Sequence, residues 1–426
     1  MAKSRVQPAE TVSSLEANVA KSAPAQQGTL MRQAVFYALL CAGTGASLPF
    51  IPLWLGYKGM SAGQIGWILA IPLIGRAITG PLSGVWADRF KKYRTPIMYL
   101  GLLSVLSYGL MGLGAGTNQT RFMLYMALYG LGYTGISSIT PLLDAMTLQL
   151  SRSERFAFST ARAAGSASFI FANICLGYLL QTAGINAVLV WTVISASTVA
   201  VGARFILPSH FRLDPTLTPS DQFVPRVRLA TLVRNRDFIL VMAAVGCLQA
   251  AHSFYYAFST IIWEKAGHSS TVCGLLWAVA VLGELLFLGL GGPLRRRLGP
   301  WRLLILGAVA GVVRWTLLAN VSELWLLWPL QLLHSLSFVA VYLAGLELIF
   351  QIVPAGYEGL AQSINSAYAS GVMTGICTLL SGMYFDHLGA GGYYLMAALA
   401  GIGLIVSIWL FCRRKQRMLD ISRTGI

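Results

Sequence analysis

Acidic residues are scarce in this chain, and charge of either sign is sparse. Among 426 residues there are 15 Asp and Glu against 31 Lys and Arg, and only 11% are charged. A soluble domain carries about 25%, so this chain lacks the polar surface to stay in water. Six cysteines (Cys41, Cys175, Cys247, Cys273, Cys377, Cys412) form no C-x-x-C pair and fall in or beside apolar runs. They read as small core hydrophobes, which sets aside a redox or metal centre. No G-x-x-x-x-G-K-[ST] occurs, which argues against ATP-driven work. No H-E-x-x-H or G-x-S-x-G occurs either, which argues against a hydrolase, and no cofactor is expected. The polar first thirty or so residues lack the apolar core of a signal peptide and are expected to form a disordered tail.

What is abundant is hydrophobic sequence: 56% of residues, with a mean hydropathy of +0.66. Apolar runs of roughly 18 or more residues recur, each long enough to cross a bilayer. Hydrocarbon offers no partner for backbone amides, so such runs must be helices. Spans are expected at roughly 32–55, 63–86, 96–114, 121–148, 158–181 and 186–207, then 237–264, 271–292, 301–319, 323–352, 358–382 and 391–412. The organisation is a tail (1–31), a six-helix bundle (32–207), a polar linker (208–236), a second bundle (237–412) and a basic tail (413–426).

The formal net charge of +16 does not signal nucleic acid, because the basic residues alternate between loops. About 25 lie on one side and about three on the other, the positive-inside pattern. The rich side includes Arg89, Lys91, Lys92, Arg94, Arg152, Arg155, the stretch Arg226 to Arg236, Arg295–Arg297 and Arg413–Arg417. The poor side has Lys58, Arg121 and Lys265. Both termini are therefore expected in the cytoplasm, the protein being a multi-pass one of a bacterial inner membrane that works as a monomer.

The two bundles share a repeat. Gly59, Ser61, Gly66, Gly75 and Gly84 recur as Gly267, Ser269, Gly274, Gly283 and Gly292, a constant offset of 208. Duplication of a membrane-spanning unit is a transporter signature. Between the repeated glycines the charge inverts: Arg76 corresponds to Glu284. Six spans, a linker and six spans is the layout of the major facilitator superfamily. The loop Gly84-Val-Trp-Ala-Asp88-Arg89-Phe-Lys91-Lys92-Tyr-Arg94 resembles that superfamily's signature after the second span, with Lys91 where glycine is common. Asp88 and Arg89 are expected in ion pairs at helix ends. In the second copy Arg296 stands where Asp88 does in the first.

Ionisable residues within spans are costly and are functional candidates: Arg76, Asp144, Arg162, His252, Glu284, Arg314, His334 and Glu347. Gln249 and His252, and Gln331 and His334, each share a helix face at i, i+3 spacing, and Tyr255 joins the first face. These faces suit a binding cavity; the alternative is helix–helix hydrogen bonding without a ligand. Glu284 is the proton-carrier candidate, against a permanent ion pair with Arg162 or Arg314. His252 and His334 can relay protons or only donate hydrogen bonds. Arg314 and Arg76 suit an anion, since guanidinium binds carboxylate through a two-toothed fork. Asp144 and Arg162 read as a structural or gating pair, and Glu347 as water-facing.

Five stretches carry a closer resemblance. Pro141-Leu-Leu-Asp144-Ala, Arg162-Ala-Ala-Gly165-Ser166, Gln249-Ala-Ala-His252-Ser-Phe-Tyr255-Tyr256, Gly311-Val-Val-Arg314-Trp315 and Gln331-Leu-Leu-His334-Ser-Leu-Ser-Phe338 resemble the phenylpropionate permease family. The resemblance covers most of the chain from 32 to about 410. It implies an all-α fold of twelve transmembrane helices in two pseudo-symmetric halves, importing an aromatic organic acid with protons. It marks Asp144, Arg162, His252, Glu284, Arg314 and His334 as the polar set. Tyr342 departs from relatives that carry a second histidine there. The alternative is a drug or metabolite exporter of the same fold. Against it, no Arg lies between Tyr125 and Gly135 and no Pro in the fifth span. A non-transporting assembly factor is the remaining reading.

Overall fold

The computed structural model describes residues 12–209, 211 and 229–424, with side chains undescribed at 12–26, 229, 415 and 417–424. Most of the expected linker, and residues 1–11 of the expected tail, lie outside this set.

Six crossings come first: α1 (Val12–Tyr57), α2 (Ala62–Ala87), α3 (Arg94–Met111), α4 (Asn118–Ser153), α5 (Phe158–Ala183) and α6 (Ala187–Phe205). After the short α7 (Leu229–Arg234) come six more. α8 (Arg236–Ala250) and α9 (Ser253–Lys265) form the seventh, α10 (Ser270–Leu290) the eighth and α11 (Gly292–Leu318) the ninth. The tenth joins α12 (Leu324–Leu332) to α13 (Val341–Ile352) through a π-helical turn at Ser335–Ala340. The eleventh joins α14 (Glu358–Ser366) to α15 (Thr374–Leu388) through a second at Ala367–Met373. The twelfth is α16 (Gly392–Thr424). Nine stretches among the described residues span by length and apolarity alone, and Glu358–Arg414 among them holds two crossings. The remaining two are α3 and α4. In α4 the apolar run is diluted by Ser137, Ser138, Thr140, Asp144 and Thr147, residues that turn toward the interior.

The first helix corrects one expectation. It runs back to Val12, so the polar stretch from there to residue 31 is helical rather than unstructured. Ala, Glu, Gln and Lys favour helix without apolar periodicity, and composition alone could not show that.

The repeat has a geometric cause. Gly59 and Gly267 both take positive φ (82° and 91°), which a side chain would resist. Ser61 and Ser269 are both N-caps, accepting from Gln64 N and Val272 N. Gly66 of α2 meets Gly382 of α15, and a Cβ on it would stand 2.9 Å from the Gly382 Cα. Gly274 of α10 meets the Asn173 backbone of α5 in the same manner. The two halves thus touch through α2–α15 and α5–α10, tightly at the end bearing the Gly59 and Gly267 loops. Toward the other end Gly80, Gly84 and Gly289 have no neighbour within 4 Å. The molecule is closed at the loop end and parted at the end bearing the termini.

Candidate functional site

A polar chain runs through the second half, starting at a wholly buried arginine. Arg314 of α11 donates through Nε to the Leu330 carbonyl (2.9 Å) and through its terminal nitrogens to His334 Nδ1 (3.0 Å) and Gln331 Oε1 (3.1 Å). Its planar face lies against the rings of Tyr255 (4.6 Å) and Trp315 (4.5 Å), which replace water around the cation. Tyr255 also donates to Gln331 Oε1 (2.9 Å). Guanidinium has only donors, so His334 Nδ1 must accept. The proton of neutral His334 is therefore on Nε2, which donates to Glu284 Oε1 at 3.0 Å. Glu284 marks the wet end of the chain: its side chain is 22% exposed, against 4% for His334.

His252 has the opposite tautomer. Its Nδ1 lies 3.1 and 3.2 Å from the Leu248 and Gln249 carbonyls, so Nδ1 carries the proton, and Nε2 faces Ser337 Oγ at 3.3 Å. Those carbonyls belong to the last turn of α8, where the seventh crossing breaks at Ala251–His252. The Gln249 carbonyl also accepts from the His252 backbone N–H (3.1 Å), so the imidazole chiefly supplies a donor to the Leu248 carbonyl. His252 and His334 touch as rings, with centroids 5.2 Å apart, and not nitrogen to nitrogen. Gln249 spans from the seventh-helix break to the Phe338 carbonyl of the π-turn (3.3 Å).

This geometry separates residues that the sequence grouped as anion-binding. Arg314, Gln331 and Tyr255 line neither of the two cavities described next; they are buried, and Arg314 and Tyr255 both donate to Gln331 Oε1. Glu284 pairs with His334, and Arg162 pairs elsewhere, so the expected alternatives of Glu284–Arg162 or Glu284–Arg314 pairs are not formed.

Two adjoining cavities lie nearer the pseudo-twofold axis. One, about 220 Å³, sits in the first half among Tyr108, Tyr129, Tyr133, Phe169, Ser137 and Thr140. The other, about 260 Å³, lies between the halves and adds Gln249, Tyr256 and Phe338. Leu48, Arg76, Tyr129 and Tyr133 line both. Arg76 is the cation of this space, and among the described residues no carboxylate is within ion-pair distance of it. The sequence pointed to Arg76 and Gln249 but passed over the tyrosines. Tyr125, Tyr129 and Tyr133 recur every four residues along α4, a spacing that puts them on one face. The face of Tyr255 and Tyr256 also differs from expectation: Tyr256 lines the cavity, and Tyr255 points back to Gln331.

Asp144 and Arg162 do pair, at 2.7 Å between α4 and α5, and Tyr37 of α1 donates to the same carboxylate oxygen at 2.6 Å. Arg162 is half exposed, so the pair faces the parted end of the molecule and not the cavity. Asp88 and Arg89 are exposed, and among the described residues neither makes an ion pair in this conformation, contrary to expectation. Asp88 instead ends α2 as its C-cap. Glu347 is exposed and accepts from Gln351. Among the described residues no cluster of His, Cys, Asp and Glu suits a metal ion.

Comparison with known proteins fits this architecture. A probable 3-phenylpropionic acid transporter of Escherichia coli K12 is 28% identical over 84% of this chain and 91% of its own length. The maltose permease of Geobacillus stearothermophilus is 25% identical over 90% of this chain and 94% of its own. Among solved structures, the nucleoside transporter NupG superposes with a TM-score of 0.75 at 14% identity, covering 90% of this chain and 98% of that one. That likeness speaks for the fold. The model of the MFS_1-like family matches residues 30–396. The chain therefore belongs to the MFS_1-like family, and it is a membrane transporter of the major facilitator fold and not an enzyme.

Proposed function

We propose that this transporter imports a small aromatic carboxylate together with a proton. The observation that carries the reading is Arg76: a guanidinium with no counter-ion among the described residues, in a cavity walled by Tyr129, Tyr133, Tyr256 and Phe338. A carboxylate matches the guanidinium fork, and an aromatic ring matches the tyrosine walls. The E. coli relative's name points the same way. Glu284 is the proton carrier in this reading. It is the one interior carboxyl at the edge of a buried chain, and His334 holds it through a donated hydrogen bond while Arg314 fixes the His334 tautomer. Gln249 and Phe338 link the cavity to that chain, because the Gln249 amide ends on the π-turn that follows His334. His252 is a brace for the helix break. The Asp144–Arg162 pair is a gate element at the parted end.

The basic residues put the termini in the cytoplasm, so the closed end faces outward and the conformation is inward-open. Rocking of the halves about the cavity would expose Arg76 to the other side. One chain holds the whole pathway, which supports a monomer in a bacterial inner membrane.

The test is uptake of labelled 3-phenylpropionate into proteoliposomes under an imposed proton gradient. Wild type should accumulate it, and a protonophore should stop this. Arg76→Gln should raise KM by about 10- to 100-fold, the loss of a charge-assisted hydrogen bond of roughly 1.5–3 kcal/mol. Glu284→Gln should abolish accumulation and retain exchange of preloaded substrate. Accumulation that survives the protonophore would remove proton coupling. Gradient-driven extrusion in place of uptake would select the exporter.

A further inference from the structure

We propose that the terminus-bearing face carries a site for the phosphate of an anionic phospholipid headgroup, separate from the transport pathway. A cavity of about 270 Å³ opens where the ends of α8, α11, α13 and α16 meet, lined by Asn235, Asp237, Trp301, Gln351, Arg413 and Arg414. Its polar groups do not balance among themselves. Arg413 lies 3.6 Å from Asp237, whereas Arg414 makes no ion pair among the described residues and lies over the Trp301 ring at 5.7 Å. The Trp301 Nε1–H is buried without an acceptor. A second guanidinium in the cavity, backed by the Trp301 ring and without a carboxylate partner among the described residues, suits an oxyanion.

The setting favours a lipid over a free ion. Ile402, Ile405 and Trp409 form an exposed apolar face on α16, and Arg413 continues it, its guanidinium 5.3 Å from the Trp409 ring. An acyl chain lying along that face would place its headgroup at the cavity. Tryptophan is the residue expected at headgroup depth. Basic pockets between helices at such a boundary suit anionic headgroups.

The experiment is native mass spectrometry of the detergent-purified full chain, titrated with phosphatidylglycerol or with phosphatidylcholine of the same acyl chains. Phosphatidylglycerol should bind with a preference that Arg414→Gln lowers about five-fold, the equivalent of the roughly 1 kcal/mol that one basic residue contributes at an anionic surface. Arg297→Gln removes the same charge outside the cavity and should leave the preference in place. Equal binding of the two lipids would overturn the proposal, as would an equal loss in Arg297→Gln. Inorganic phosphate that displaces phosphatidylglycerol at millimolar concentration would assign the cavity to a soluble anion and overturn the lipid assignment. Arg414 is exposed near the chain end, so its replacement does not disturb the core.

Discussion

At the scale of single residues, the distinction that matters is between a cation with its donors used and one with its donors free. Arg314 has partners in Leu330, Gln331 and His334 and is shut between two rings. Arg76 has a cavity. Removing Arg314 therefore strands His334 Nδ1 and Gln331 Oε1 in a dry interior, and breaking a buried charged network in this way costs about 3–5 kcal/mol. Arg314→Met should lower the unfolding temperature in detergent well below that of wild type, and Arg76→Met should leave it nearly unchanged. A melt in which the two variants fall equally would mean that Arg76 is also structural. Arg314→Lys keeps the charge but cannot reach three acceptors from one nitrogen in the guanidinium plane. It should free His334 to take either tautomer and so weaken coupling more than binding, read as lost accumulation with a nearly unchanged KM. All four members of this network, with Glu284, were legible in the sequence as ionisable or amide groups in apolar runs. Which one faces ligand was not legible. That depends on helix rotation, and a shift of one residue (Tyr255 against Tyr256) exchanges the buried face for the cavity.

At the scale of helices, the fold was legible wherever one local rule decides the backbone. Positive φ at Gly59 and Gly267 and the serine caps follow from chain chemistry that recurs in the sequence. The breaks in the seventh, tenth and eleventh crossings did not show. No Gly or Pro marks Ala251–His252; the break persists because His252 Nδ1 supplies a donor to the Leu248 carbonyl while the His252 backbone N–H takes the Gln249 carbonyl, and Ser253 Oγ reaches the Thr374 carbonyl across the bundle at 3.0 Å. Thr374 in turn donates to the Ala369 carbonyl five residues back (2.7 Å), the spacing of the π-turn there. Such bonds need the tertiary structure to exist first. The glycine contacts bear on dynamics. Gly66 against Gly382 holds the loop end shut, and a Cβ at Gly66 has no room beside the Gly382 backbone. Gly66→Ala should therefore shift the population away from this closed end. Spin labels on the loop ends of α2 and α15 should report a longer mean distance in that variant. Gly84→Ala, at a position with open space, should leave this distance unchanged. A matching increase from Gly84→Ala would mean that the closure is not set at the glycine contact.

For the whole molecule, the number of proton-carrying groups limits the energetics of transport. Among the carboxyls of the described spans, Glu264 is held by Ser270 near the loop end and Glu347 is exposed, which leaves Asp144 and Glu284 to compare. Asp144 is held by Arg162 and Tyr37 together. Glu284 alone faces a neutral partner through His334, so it can change charge without leaving a cation unpaired. In the import proposed above, one carrier and one bound monocarboxylate would move as a net-neutral pair. A membrane potential performs no work on a neutral pair, although it contributes about 2.3 kcal/mol per 100 mV to each net charge moved. A pH difference does perform work, about 1.4 kcal/mol per unit, or ten-fold accumulation. Proteoliposomes with a one-unit inward proton gradient should therefore concentrate 3-phenylpropionate about ten-fold. A valinomycin-set potassium potential, negative inside at constant pH, should add nothing to that ratio. A potential-driven rise in accumulation would require a second proton per substrate. Asp144 or His252 would then have to titrate, and Asp144→Asn and His252→Gln would identify which, as the variant in which the potential no longer has an effect.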